Sequence, residues 1–545
     1  MNILKAFGIV SLICCQAYCQ NFTSSNLPIV MIDTEGQTIL NEPKINVKLK
    51  IIQNTAGKRN NLTDTPTQYD GIAGIEYRGA SSQLFPKKPY GIELRDEKGD
   101  GHEVSIFGMP KEEDWILFAS YNEKSLINNV LAMKLARDLG MYASRTQYVE
   151  LVLNGRYEGV YVWMEKIKRV NGRLDIVKMS DKDNSGDALT GGYIFKIDKV
   201  NGSGGSAGWF SQIRPSFTNN LNARIQYLFE YPDPDKITSQ QRTYIQAKSD
   251  SAEAALNSTS FKDPQKGYRK YYDARSFMKF FLINEVSRNV DGYRISTFFH
   301  KDRDSKSPLI KAGPVWDFDL AFANADYCDG YRYNGWAYLF GNVCPNDYWQ
   351  VPFHWKRMLE DPTFVSELYE EYTRMRANEW KTIKLHTYID SLATLLREPQ
   401  QRNFERWPNL LGQVIWPNPQ PVPTTWQGEV DELKRWLEAR LNWLDENMLG
   451  KITANELAPS VATEIKVEVF PNPISDFAKI TIDAPRQMEI ITEVFDLNGR
   501  LIHTQVHLLH TKSNQIQLPI EAQAGTYWLR VHTPTEVIKK KMIKL

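Results

Sequence analysis

The sequence predicts an α+β protein with a β-rich N-terminal part, a helical C-terminal part and, beyond them, a small C-terminal β-sandwich. Three patterns predict it. Leu27–Asn54 alternates apolar and polar residues around turn signals such as Glu35-Gly36, which is the period of half-buried strands. From Ser125 onward, apolar residues recur at helical spacing, and after Pro352 helical signals dominate. After about Ala462, short alternating runs are separated by turn residues. With 42% hydrophobic and 12% aromatic residues among 545, the chain is not a disordered one. Lys+Arg is 66 against 65 Asp+Glu, so no broad basic field and no nucleic-acid partner are expected. Beyond the N-terminus, no apolar run approaches the about 20 residues of a membrane helix, so no transmembrane helix is expected in the mature protein.

Taken in order, Met1–Cys19 carries an early Lys5, the apolar stretch Ala6–Cys15 and small residues at Ala17 and Cys19. This is the layout of a secretory signal cleaved before Gln20. Removing it leaves two of the five cysteines, Cys328 and Cys344, and in an oxidising compartment a disulfide between them is expected. Ile75–Arg78 and Tyr90–Leu94 read as strands flanking a polar loop. Ser125–Leu139 reads as a helix stopped by Gly140. Tyr148–Leu153 and Glu158–Met164 read as a hairpin turning at Asn154-Gly155. Asn201–Gly208 reads as a flexible loop, Ser276–Arg288 as an apolar helix, and Thr297–His300 and Leu309–Lys311 as strands. Pro417–Pro423 is an extended connector before the amphipathic helix Val430–Met448. Residues 20–450 thus read as one large unit without an obvious repeat, and 451–464 as a linker.

Residues 465–545 have the texture of a β-sandwich. Their runs are Ile465–Phe470, Ala478–Ile482, Ile490–Asp496, Ile516–Leu518, Thr526–Val531 and Val537–Ile543. VFPNPISD (Val469–Asp476), VFDLNGRLI (Val494–Ile502) and AGTYWLRV (Ala524–Val531), with a basic last strand, resemble the type A C-terminal sorting domain of type IX secretion cargo. The resemblance implies handling by that secretion machinery and a secreted or cell-surface location. Four of the eight histidines fall here (His503, His507, His510, His532), and they are expected on strands or the surface rather than in a metal cluster.

Two acidic loops carry the candidate chemistry. Asn289-Val290-Asp291-Gly292-Tyr293 follows the apolar helix, and Trp316-Asp317-Phe318-Asp319 follows a strand and Gly313-Pro314. The strands between them can fold the two loops together. Carboxylates brought to one site repel unless a cation sits between them, and a hard, oxygen-liganded ion such as Mg²⁺ fits. The order helix, acidic loop, hairpin, acidic loop is also that of the catalytic half of a protein kinase, although HRD and DFG are absent. On spacing alone, a turn residue at Asp291 and helix caps or a Ca²⁺ loop at Asp317 and Asp319 remain alternatives.

YRGASSQLFPKKPYGIEL (Tyr77–Leu94), DWILFASYNEKSLINNVLAMKLARDLG (Asp114–Gly140), VELVLNGRYEGVYVWMEKI (Val149–Ile167), GGYIFKID (Gly191–Asp198), NVDGYRISTFFHKD (Asn289–Asp302) and GPVWDFDLAFAN (Gly313–Asn324) resemble the spore coat protein H (CotH) kinase family. The match runs in order over about Leu27–Leu449. It implies an atypical, compact protein-kinase-like fold that transfers the γ-phosphoryl group of ATP to Ser or Thr of extracytoplasmic proteins. The family's catalytic-loop acid maps to Asp291 and its metal-binding acid to Asp317, with Asp319 as a second ligand or orienting acid. ATP and Mg²⁺, with Mn²⁺ or Ca²⁺ as alternatives, are the implied cofactors. Cations for the phosphates are expected from the N-terminal half. Arg78 and Lys88 flank the Ser81-Ser82 loop, and Lys88 is the expected phosphate lysine with Glu165 as its pairing candidate. Lys196 and Asp198 are rivals, and a solvated face at Lys87-Lys88 is the bland alternative.

Five residues past Asp291, where the family often places a metal-binding Asn, stands Ser296. Its hydroxyl is a weaker metal ligand. This keeps open a second reading, a non-catalytic surface binding module with a degenerate cleft. The aromatic-rich stretch Tyr327–Trp355 is expected to pack as satellite core or to form a stapled wall.

Overall fold

The computed structural model describes residues 22–200, 207–216, 218–451, 465–484, 487–510, 512–533 and 537–545. The expected secretory signal, most of the Asn201–Gly208 loop and nearly all of the linker lie outside them. The chain forms two compact units that divide between Lys451 and Ile452.

In the first unit, alternating sequences build a closed barrel. Its strands are β1 (Ile29–Asp33), β2 (Ile45–Ile52), β3 (Tyr69–Tyr77), β4 (Tyr90–Arg95), β5 (Asp114–Phe118), β6 (Thr146–Leu153) and β7 (Arg156–Glu165). They are ordered β1-β2-β3-β4-β5-β7-β6. Neighbours are antiparallel except β1 and β6, whose parallel pairing of Ile29 with Glu150 through Ile32 with Leu153 closes the ring. Closure leaves no free edge. Leu49, Ile75, Ile92, Leu117, Leu151 and Trp163 fill the interior.

The rest of this unit is a five-stranded antiparallel sheet wrapped by helices. Its strands are β8 (Tyr193–Ile197), β9 (Gly208–Phe210), β10 (Gln226–Tyr231), β11 (Thr297–Lys301) and β12 (Lys311–Ala312), ordered β9-β10-β8-β11-β12. Seven helices matter here: α1 (Asn128–Asp138), α2 (Ser239–Asn257), α3 (Ala274–Ser287), α4 (Pro362–Ala377), α5 (Thr382–Leu396), α6 (Pro399–Arg406) and α7 (Trp426–Asn447). Thr238 starts α2 with a reciprocal capping box through Gln241, so two otherwise orphan N–H groups are satisfied. One core joins Leu131 of α1, Phe277 and Phe281 of α3, Phe195 and Phe299 of the sheet, and Leu437 and Leu441 of α7.

Helix α6 fastens this core to the barrel. Arg402 pairs with Glu150 at 2.6 Å and Arg406 with Glu158 at 2.9 Å. The Asn403 Oδ1 accepts from the Val160 N–H at 3.1 Å and from Lys87 Nζ at 2.9 Å. Lys87 is only 1% exposed, so this part of Lys87-Lys88 is not a solvated face. Burial pulls its ammonium down to about 7. Cys328 and Cys344 are disulfide-bonded, and closing a loop of this length contributes about 3 kcal/mol.

The second unit is a pair of sheets around one core. Lys466–Phe470, Phe477–Ala484 and Lys512–Pro519 form the first sheet; Leu501–Leu509, Met488–Asp496, Gly525–His532 and Val537–Lys544 form the second. Ile480, Ile482 and Leu518 of one meet Ile490, Val494, Leu529 and Met542 of the other. The strand Leu501–Leu509, an edge strand, is absent from the sequence reading. No helix among the described residues is long and apolar enough to cross a membrane.

Candidate active site

A cleft of about 1650 Å³ runs between the barrel and the helix-wrapped sheet. Its acidic floor comes from the two loops singled out in the sequence. Helix α3 ends at Arg288, whose left-handed backbone turns the chain into the first loop. Val290 and Tyr293 bury their side chains, and the Tyr293 hydroxyl donates to Glu285 at 3.0 Å. A Cβ on Gly292 would stand 2.4 Å from the Asn284 Oδ1, so a larger residue would have to push that side chain aside. Asp291 is left facing the cleft, and its Oδ1 accepts from Arg294 Nη2 at 2.7 Å.

The hairpin β11–β12, pairing Phe299 with Ala312, returns the chain to the second loop. There Phe318 is a buried anchor, and its N–H donates to the Asn129 Oδ1 of α1 at 3.3 Å. The Asn128 amide of the same helix donates to the Ala321 carbonyl at 3.0 Å. Asp317 and Asp319 flank that anchor and line the cleft. Asp317 and Ser296 hold positive φ angles of 62° and 49°. Non-glycine residues pay strain there, and such strain gathers at sites the surrounding structure over-determines.

The electrostatics of the floor are unbalanced. Asp317 is open to cleft water, but protein crowds its other sides; this crowding, with repulsion from Asp291 and Asp198, pushes its carboxyl up to about 6. Crowding, with repulsion from Asp317 and Asp291, raises Asp319 well above the carboxylate range. The donors, two carboxylates and the Ser296 hydroxyl, are hard oxygens of the kind Mg²⁺, Mn²⁺ or Ca²⁺ accepts, so the residues present fit such an ion. Among the described residues, the one acidic trio with oxygens all within 4.8 Å of one another is instead Glu112, Glu113 and Asp114. Lys168 Nζ already stands 2.5 Å from Asp114 and 3.6 Å from each of the other two.

The other expected residues divide. Arg78, Ser81, Ser82 and Lys196 line the cleft with Asp291, Ser296, Asp317 and Asp319, whereas Lys88 and Glu165 do not. The expected pairing of Lys88 with Glu165 is not formed. Glu165 is fully buried on β7 and pairs with Arg145 at 2.5 Å and Arg173 at 3.5 Å, while Lys88 Nζ donates to the Gln83 carbonyl at 2.6 Å. On the helix-wrapped sheet, a lysine–glutamate pair does line the cleft: Lys196 of β8 with Glu230 of β10, at 3.0 Å, with Asp198 at 3.7 Å. Arg78 lies over the Trp316 ring, 5.3 Å from its centroid. Sequence reasoning missed Glu230, Arg294, Asn129 and the lysines around Asp114. The short apolar run in QYLFEY, which suggests a strand carrying Glu230, is a local hint for that one.

The CotH kinase protein family model matches residues 75–444, and the chain belongs to that family. The model of the secretion system C-terminal sorting domain matches residues 468–545, which implies type IX handling and a secreted or surface location. Among solved structures, dimeric latent PorU from Porphyromonas gingivalis is similar at 24% identity over 14% of this chain and 9% of that one, with a TM-score of 0.13. The chain therefore spans a small fraction of PorU's length, and that likeness carries no argument. No curated protein matches the chain.

Proposed function

We propose that this protein is an exported kinase that transfers the γ-phosphoryl group of ATP to Ser or Thr of extracytoplasmic proteins. The observation that carries the reading is the meeting of Asp291, Asp317 and Asp319, from two separate loops, in one cleft with Arg78 and the Lys196–Glu230 pair. In the transfer, the acceptor oxygen forms a bond to the γ-phosphorus as the bond to the β,γ-bridging oxygen breaks, and ADP leaves. Asp291, held by Arg294, orients the acceptor hydroxyl and takes its proton. Asp317 and Asp319, with Ser296, hold the divalent ion, which when bound neutralises phosphate charge. Arg78 and Lys196 supply fixed positive charge, and the Ser81 and Ser82 hydroxyls offer donors to phosphate oxygens. Positioning and charge neutralisation account for most of the rate in such transfers.

The test is incorporation of labelled phosphate from ATP, with Mg²⁺, into the full chain or an extracytoplasmic protein. Wild type incorporates and Asp317→Asn does not. Absence of incorporation with Mg²⁺, Mn²⁺ and Ca²⁺ alike would overturn the reading. The substitution at Ser296 favours the second reading, a non-catalytic binding module, and calorimetry showing no Mg·ATP binding would select it.

A further inference from the structure

Beside the cleft opens a second cavity of about 380 Å³, lined among others by Ile197, Lys199, Arg224, Arg294, Tyr348 and Trp349. It shares Ala80, Ser81, Asp198 and Lys199 with the cleft. Arg294 ties the two together: Nη2 donates to Asp291 and Nη1 donates to the Trp349 carbonyl at 3.3 Å. The groove's lining thus reaches Asp291 through one side chain.

Two features define what the groove accepts. Its rim is aromatic and accessible. Tyr348 and Trp349 are 45% and 36% exposed and meet edge to face at 5.4 Å. Its surplus charge is positive. Asp198 is within 3.7 Å of Lys196 and Asp347 within 3.6 Å of Arg294, so both acids are answered. Lys199 and Arg224 instead rest over the rings of Trp349 and Phe210, at 5.8 Å and 5.0 Å. Neither has a carboxylate oxygen within 4.0 Å among the described residues. Accessible aromatic rings supply contact area at low entropy cost, and cations without a close carboxylate partner select negative charge, although Lys199 also acts at longer range on Asp317.

We propose that this groove docks the acceptor as an acidic stretch of polypeptide whose Ser or Thr hydroxyl is thereby delivered to Asp291. The delivery rests on the kinase reading; the docking does not. Charge complementarity favours this occupant over a basic segment, which Lys199 and Arg224 would repel.

Fluorescence anisotropy on the full chain without nucleotide tests the docking. The probes are three labelled peptides with one central Ser flanked by Glu, by Gln or by Lys. The Glu peptide is expected to bind at least about tenfold more tightly than the others, with affinity falling as salt rises. Arg224→Glu is expected to remove most of that preference and Trp349→Ala to weaken all binding, while Arg224→Lys keeps the preference and calorimetric Mg·ATP affinity stays unchanged in each. Equal binding of the three peptides, tighter binding of the Lys peptide, no binding, or displacement only by an acidic polysaccharide would overturn the proposal. If the Glu peptide binds as expected but no phosphate moves, docking stands and the kinase reading falls. If phosphate moves with no preference for acidic acceptors, the kinase reading stands and the groove assignment falls.

Discussion

Asp114 and Asp317 line opposite walls of the same cleft, and their charges are treated in opposite ways. Asp114 is buried, at 7% exposure. Burial works against its charge, but Lys166, Lys168 and Lys44 outweigh it and hold the carboxyl at about 2. Asp317 is open to water, yet its carboxyl is pushed up to about 6 by crowding protein and by Asp291 and Asp198. Exposure alone would rank these two the other way round. What decides is whether the fold supplies the opposite charge. At Asp114 it does, and the result is structure. At Asp317, Arg78 and Lys199 pull the carboxyl down but do not outweigh the crowding and the neighbouring aspartates, and the deficit is the charge a cation would supply. Sites kept ready for charge at a cost to stability are a recurring feature of function.

The largest effect that would sharpen this contrast is at Asp317. Asp317→Asn is expected to lower phosphoryl transfer by about 10³-fold or more, measured with labelled ATP. The same change relieves repulsion, so the metal-free variant should melt no lower than wild type. Mg·ATP at about 100 times its Kd should stabilise wild type by about 2.7 kcal/mol and leave the variant's melting point unmoved. A variant that melts well below wild type would break the comparison.

Lys196→Met would convert an answered pair of acids, Glu230 and Asp198, into unanswered ones. Transfer should fall by about 10- to 100-fold, and the protein should lose about 3 kcal/mol in urea unfolding.

Asp114→Asn comes next, at about 2 kcal/mol of stability at pH 7. Its carboxyl lies lower folded than unfolded, so its stabilisation is full above the ordinary value of 3.8 and disappears as pH falls toward about 2. The gap between wild type and variant should close over that acid range in chemical unfolding curves. The smallest effect is expected at Lys88. Lys88→Ala removes one hydrogen bond to a carbonyl and should change stability by less than about 1 kcal/mol and leave transfer intact. A loss like that of Lys196→Met would restore Lys88 as the phosphate lysine.

Much of this was legible beforehand because it is local. The helix ending near Arg288 and the two strands that pair at Phe299 and His300 follow from short-range periodicity and turn residues. Asn154-Gly155 turns the hairpin as read. Leu501–Leu509 was illegible for a physical reason. As an edge strand with mostly exposed side chains, LIHTQVHLL carries little of the apolar alternation that burial imposes. The Lys88–Glu165 expectation failed because two like-charged neighbours, Lys87 and Lys88, gave no local sign of which would be buried.

The sequence by itself determined that the chain carries two acidic loops on rigid ends and a β-rich tail, because strand and helix periods, glycine turns and charge content act over a few residues. Tertiary structure alone decided that the barrel closes through a parallel β1–β6 contact, that Lys196 finds Glu230, and that nearby cations outweigh burial at Asp114 but not at Asp317. Those outcomes depend on which surfaces meet across tens to hundreds of residues. Coulomb energy follows distance in space, not order along the chain.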